Sequence, residues 1–154
     1  MKTIITLLVG LLFAFNVNAK PMFQPPDDVA AKGKITYCAT IDNPPRAFAD
    51  ASGNFQGFEI DLGVEIGNRL GLEVKWEQMK FSGLIASLSG QICDAIVQEL
   101  FIKPTRVEVI DMIPFGYSAQ SIVVNARNYA SINGPADLSG LKVAVPNGTT
   151  IHNI

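Results

Sequence analysis

The sequence predicts an α/β fold in which a parallel sheet carries helices on both faces. Three observations lead there. The run Lys34-Ile-Thr-Tyr-Cys-Ala-Thr40 is β-rich and bounded by Gly33 and by the turn Asp42-Asn-Pro-Pro45, which marks a strand. Ile60, Val64 and Leu70, with Leu62 and Ile66 beside them, recur at helical spacing until Gly71 closes the run. The order then repeats, with a strand over Leu72 to Glu77, a short helix over Phe81 to Leu88 and a third strand over Asp94 to Gln98.

The elements follow in chain order. Lys2 precedes an apolar run from Ile4 to Phe15, interrupted only by Thr6 and free of charge, and small residues stand at Val17-Asn-Ala19, the pattern of a secretory signal cleaved after Ala19. The run falls short of the roughly 20 apolar residues a membrane span needs. No cysteine lies at the cleavage point, where Lys20 follows Ala19, so the sequence gives no support for a lipid anchor. Removing 19 of the 154 residues leaves 135 and takes away Lys2, so the formal net charge moves from −2 to −3. That length and apolar content suffice for one small domain with a core. A mildly acidic chain without a basic stripe offers nothing to nucleic acid or anionic lipid.

Residues 20–33 hold three prolines, paired aspartates and no periodicity, and read as a flexible leader. After the first strand, Phe48 and Phe55 flank a hairpin-like loop, Asp50-Ala-Ser-Gly-Asn54. In the helix over Phe81 to Leu88 the side chains of Leu84, Ile85 and Leu88 face inward. Pro104 to Val109 is a helical turn and Ser121 to Asn125 a strand. A linker follows, with one helical turn at Pro135-Ala-Asp-Leu138, and Lys142 to Val145 starts a further strand that turns at Asn147-Gly148. A lone strand buries neither face, so this last unit either joins the first sheet or belongs to a domain whose remainder is absent.

Cys38 lies near the end of the first strand and Cys93 just before the start of its parallel neighbour. An offset of roughly four residues corresponds to about 13 Å at ~3.3 Å per residue, whereas bridged Cα atoms lie within about 7 Å. The expectation is two free, structural thiols. His152 is the only histidine and no CxxC or other metal-ligand spacing occurs, so neither a metal, nor a cofactor, nor a Ser-His-Asp or Cys-His catalytic set is expected.

The most informative stretch is Cys93 to Arg106, a short buried strand and a turn that bring Arg106 to the strand's carboxyl end, where open α/β sheets keep their ligands. A guanidinium there is a ready carboxylate clamp, because its planar fork of donors matches two oxygens at once. Arg106 as an ordinary surface arginine at a helix start is the alternative. Spacing leaves Phe81 open between core packing and stacking on a ligand, and Gly148-Thr-Thr150 open between a plain turn and the amide-rich start of a helix that holds an anion. Glu59 and Asp61 fall in the first turn of a helix, where acids favour the macrodipole. Trp76 is read as packing, and Arg46 as a solvent-exposed residue of a rim loop.

From about Gly33 onward the chain resembles the family 3 periplasmic solute-binding proteins, the polar amino-acid receptors of ABC importers. The resemblance lies in Asp42-Asn-Pro-Pro45 with Phe48, Gly57-Phe-Glu-Ile-Asp-Leu62, Trp76 with Phe81-Ser-Gly-Leu-Ile85, Asp94-Ala-Ile96, Ile102-Lys-Pro-Thr-Arg106, Ala136-Asp-Leu-Ser-Gly-Leu-Lys142 and Gly148-Thr-Thr150. It implies a type II periplasmic-binding-protein-like fold whose two lobes close on a ligand. In those terms residues 1–19 are the signal, 20–33 the leader, 34–126 lobe one, 127–141 the crossover, with the hinge near Asn125 to Asn128, and 142–154 the start of an incomplete second lobe.

The resemblance also implies roles. Arg106 matches the arginine that grips the ligand carboxylate, Phe81 an aromatic that packs on the ligand's aliphatic part, and Thr149 and Thr150 lobe-two donors to the same carboxylate. Asn43 stands where the family usually has an aromatic lid. Gln98-Glu-Leu-Phe101 departs furthest, with Phe101 replacing a hydroxyl that helps hold the carboxylate. Alternation puts Glu99 on the same side as Phe101, so Glu99 either pairs with Arg106 or receives a ligand's ammonium, which points to a cationic or zwitterionic ligand. The implied protein is a monomeric periplasmic receptor that passes an amino acid or similar small polar ion to an ABC permease. Cyclohexadienyl-dehydratase-like enzymes and sensor domains of signalling receptors share the fold and are the alternatives. With half a clamp, the chain by itself is expected to bind weakly or not at all.

Overall fold

A computed structural model describes residues 21–125, 127 and 131–153. The signal read over residues 1–19 and part of the crossover and hinge fall outside the described residues.

Three strands form the main sheet: β1 (Lys34–Ala39), β5 (Glu73–Gln78) and β6 (Ala95–Ile96). Their order is β5-β1-β6 and both pairings are parallel, with Tyr37 opposite Trp76 on one side and Ala95 on the other. The chain leaves β1, returns as β5 on one flank, then crosses back to the other flank as β6. The order therefore reverses around β1, and the crevice beyond the carboxyl ends of β1 and β6 is a topological switch point. Between β1 and α2 (Phe58–Leu70) lies a small antiparallel sheet of β2 (Asp42–Asn43), β3 (Ala47–Ala49) and β4 (Phe55–Gln56). The Asp50 carboxylate closes its hairpin by accepting the N–H groups of Ser52 and Asn54.

Period-two alternation assigns the two faces of the main sheet. Ile35 and Tyr37 point to the face covered by α2, with Leu62, Leu70, Val74 and Trp76 around them. Cys38 points the other way and packs with Leu84, Cys93, Phe81 and Leu88 under α3 (Leu84–Ser89), which a 3₁₀ turn over Phe81–Gly83 introduces. The inward stripe of α2 runs through Ile60, Gly63 and Gly67, while Val64 and Ile66 are exposed. A Cβ on Gly63 would come within 2.6 Å of the Trp76 ring, so its absence lets the helix lie close on the sheet. Trp76 packs 5.0 Å from the Tyr37 ring, in the role read from sequence.

Four expectations change. The leader contains α1 (Asp27–Lys32), whose Val29 is buried in the core, and the Met22 N–H donates to the Arg69 carbonyl. Ser121 to Asn125 and Lys142 to Val145 form no strand among the described residues. Their β-branched side chains, such as Val123 and Val143, are exposed, and propensity without a paired neighbour makes no ladder. The third strand is confined to Ala95 and Ile96, and beyond it the Gln98 side chain, not the backbone, takes the N–H of Thr40, the residue after β1.

The fourth change concerns the cysteines, which are not free: Cys38 and Cys93 form a disulfide with Cα atoms 5.6 Å apart, within the usual range. The sequence estimate measured their offset along the strand axis. The chain instead approaches β6 over the face that carries α3, after a left-handed residue at Gln91 (φ 58°), which sets Cys93 beside Cys38 against Leu84.

Candidate functional site

The switch point is built first by Gln98. Its buried side-chain oxygen accepts the Thr40 N–H at 2.8 Å and the Thr40 hydroxyl at 3.0 Å, continuing the β1–β6 seam by one side chain after the backbone ladder ends. Nothing in the composition singled out Gln98, although a lone amide directly after a buried apolar strand is the available signal.

Arg106 sits on α4 (Pro104–Val107), a single turn that starts with Pro104, whose fixed φ suits the first helical position. It is 4% exposed. Its Nη1 donates to the Phe101 carbonyl at 2.8 Å and its Nη2 to the Gly148 carbonyl at 3.1 Å, and the guanidinium lies 5.7 Å from the centroid of the Phe81 ring. Burial pushes its pKa down from the ordinary arginine value, but at neutral pH an arginine stays charged. Neutral carbonyls and an aromatic face orient that charge without neutralising it. Among the described residues no carboxylate lies within ion-pair distance of it.

Arg106, Phe81 and Gly148 are thus brought together, from three separate segments, with Thr149 and Thr150 next in the chain. Thr149 donates its hydroxyl to the Pro146 carbonyl at 2.8 Å. The Thr150 hydroxyl is buried without a partner, at the start of a 3₁₀ turn over Thr150–Asn153. Phe101 contributes its backbone carbonyl to Arg106, and its half-buried ring lines a neighbouring groove of about 1100 Å³ that also takes in Phe58, Leu62, Glu99 and Phe115. Asn43 lies apart, half-buried in β2, with its carbonyl accepting the Arg46 N–H at 2.8 Å.

Glu99 does not pair with Arg106. Its carboxylate meets Arg46 instead, Nε to Oε2 at 2.9 Å. Arg46 was expected in solvent, yet its side chain is 23% exposed and held on several sides. Nη2 donates to the Ser118 hydroxyl at 3.0 Å, Nη1 lies 3.8 Å from Glu59 Oε1, and the guanidinium covers the Phe58 ring at 5.4 Å. Glu59 is more than a helix-start acid: it is fully buried, and neither carboxylate oxygen has a hydrogen-bond partner. Burial pushes its pKa up to about 7, against the opposing pull of Arg46. Among the described residues no three His, Cys, Asp or Glu side chains converge as a metal would require.

The sequence and the fold resemble those of known proteins. Residues 35–150 match the bacterial extracellular solute-binding proteins, family 3. The L-arginine-binding protein of Pseudomonas aeruginosa is 32% identical over 144 residues, which are 93% of this chain and 52% of that protein. The lysine/arginine/ornithine-binding periplasmic protein of Escherichia coli is 32% identical over 144 residues, 94% of this chain and 53% of its own length. The chain therefore spans about half the length of the curated relatives it matches. Among solved structures, the arginine-bound form of domain 1 from TmArgBP, the T. maritima ArgBP, superposes with a TM-score of 0.53 at 37% identity, covering 55% of this chain and 67% of that one. With a doubly wound sheet, an arginine at its switch point and a family match over most of its length, this chain belongs to the family 3 bacterial extracellular solute-binding proteins.

Proposed function

We propose that this chain supplies the ligand-gripping lobe of an exported receptor that captures a cationic amino acid, arginine above all, and passes it to an ABC permease without chemical change. One observation carries the reading: a buried guanidinium at the switch point, oriented by two carbonyls and a ring, with no carboxylate of the protein's own. An external carboxylate is the charge partner that such a group lacks. Phe81 then lies under the ligand's aliphatic stem, the unpartnered Thr150 hydroxyl and Thr149 add donors as the lobes close, and Phe101 holds Arg106 in place through its carbonyl. Asn43 narrows the rim.

Several of the relatives support a cationic ligand. Two are named for arginine, or for lysine, arginine and ornithine, and the isolated domain 1 from TmArgBP has an arginine-bound form. That last case supports binding by a first lobe alone, against the expectation that half a clamp binds little. We read residues 34–126 as that lobe, 127–141 as the crossover containing the hinge, 142–154 as the start of lobe two, residues 1–19 as an export signal to the periplasm, and the receptor as a monomer.

The test is a calorimetric titration of the chain from Lys20 to Ile154 with L-arginine and with agmatine, which lacks only the carboxylate. A charge-assisted hydrogen bond is worth roughly 1.5–3 kcal/mol, so agmatine is expected to bind at least about tenfold more weakly. Equal affinities would remove Arg106 from the account. Release of product from prephenate or arogenate would replace the receptor with an enzyme.

A further inference from the structure

We infer that Arg46 is a positioning residue for this site: by holding the Glu99 carboxylate, it keeps the Arg106 guanidinium without an internal counter-charge, so that its charge is left for a carboxylate from outside. The inference rests on the receptor reading and deepens it.

The geometry sets a competition. Glu99 and Phe101 are two residues apart, a span of at most about 7 Å of extended chain, and Phe101 supplies the carbonyl that holds Arg106. Glu99 is therefore an acid of the protein's own two residues from the carbonyl that holds a buried arginine without a counter-charge. Buried opposite charges pair strongly once the desolvation cost has been met by folding. An internal pair between Glu99 and Arg106 would shut the anion site. The structure shows the pair made elsewhere, with Glu99 Oε2 2.9 Å from Arg46 Nε.

Arg46 is built to keep that contact. Its backbone is tied at both ends of the turn: its N–H donates to Asn43, and its carbonyl accepts the Glu59 N–H at 3.0 Å. Its guanidinium rests on Phe58, donates to Ser118 and lies above the buried Glu59. Glu59 biases Arg46 toward this position, because a buried carboxyl group is compensated first by the Arg46 charge and then by the backbone N–H of Glu99 itself. Arg46 thus faces acidic side chains on two elements, α2 and the segment after β6, with its close ion pair to Glu99, and the second cation, Arg106, is left for the ligand.

Rescue separates positioning from plain structural support. L-Arginine is titrated into the unaltered chain, R46M, R46K, R46M/E99Q and R106M, with thermal melts run beside each. R46M keeps the aliphatic stem and loses the charge, so it is expected to bind at least tenfold more weakly. R46M/E99Q, which removes the competing carboxylate as well, is expected to recover most of that loss, and R46K, which keeps a cation near Glu99, to lose less than R46M. If R106M is impaired while R46M is not, or if R46M/E99Q binds no better than R46M, the positioning role is refuted and the receptor reading stands. If R106M itself binds like the unaltered chain, the receptor reading fails first. Should R46M not fold, the comparison of R46K with R46K/E99Q decides by the same criterion: R46K weaker than the unaltered chain and improved by E99Q supports the role, and no difference overturns it.

Discussion

Removing the Cys38–Cys93 bond is expected to be the most destabilising single change to this fold. The bridge ties residues 55 apart in sequence, and the chain-entropy relation for a closed loop of that size gives about 4 kcal/mol at 25 °C. Domains of this size are stable by roughly 5–15 kcal/mol, so reduction consumes a large fraction of the total. Both cysteines are almost fully buried, at 0% and 3% exposure, and pack with fully buried Leu84 between the sheet and α3. Reduction in the native state is therefore slow, and the comparison has to be made through unfolding. Urea denaturation followed by circular dichroism, with and without reductant and for C38A/C93A, reads the difference directly. With a slope of roughly 1–3 kcal/mol/M, the midpoint is expected to fall by about 1.5–4 M. A difference below about 1 kcal/mol, or two thiols that react with iodoacetamide in guanidinium without prior reduction, would refute the cross-link and the packing built on it.

Two further predictions concern the turn and helix start around Arg46. Glu59 has its folded-state pKa raised from 4.5 to about 7 by burial, so its contribution to stability is complete below pH 4.5 and is lost as pH rises through 7. E59Q, which cannot ionise, is expected to match the unaltered chain near pH 4.5 and to exceed it at pH 8 by up to about 3 kcal/mol; melting curves across that range check the sign, and parallel curves would contradict it. Gly57 has φ 119°, and a Cβ there would lie 2.1 Å from the Arg46 carbonyl oxygen. G57A is therefore expected to cost at least about 2 kcal/mol and to weaken arginine binding by displacing Arg46, whereas an unchanged melt would mean that this approach is not needed.

Where periodicity was long enough to specify a partner, the sequence was legible. β1, α2 and β5 lie within a residue or two of where composition and spacing place them, because α2 and β5 each turn one consistent face to the core and β1, between its neighbours, is covered on both. The segments at 121–125 and 142–145 have the same β-branched composition, and they show that propensity specifies a strand only when an adjacent strand completes its hydrogen bonds. The cysteine pairing was lost because residue counting along a strand says nothing about a chain that crosses the sheet face.

At the site, Arg106 was legible since a turn after a buried strand fixes where it must lie. The Arg46–Glu59–Glu99 cluster was not. Helix-start acids have a sufficient local explanation in the macrodipole, and only the tertiary fold, with Gly57 admitting the Arg46 carbonyl, turns Glu59 inward. Glu99 was read as pairing with Arg106 or meeting a ligand's ammonium, and it pairs with Arg46 instead, because a linear sequence does not show which of two cations is nearer.

The most direct test of the account is the affinity of R106M for L-arginine beside that of the unaltered chain, measured by calorimetry at neutral pH with folding verified for both. The account predicts measurable binding by the unaltered chain and a loss of at least tenfold in R106M; arginine bound equally well by both would show that the buried guanidinium at the end of the sheet is not what holds the ligand.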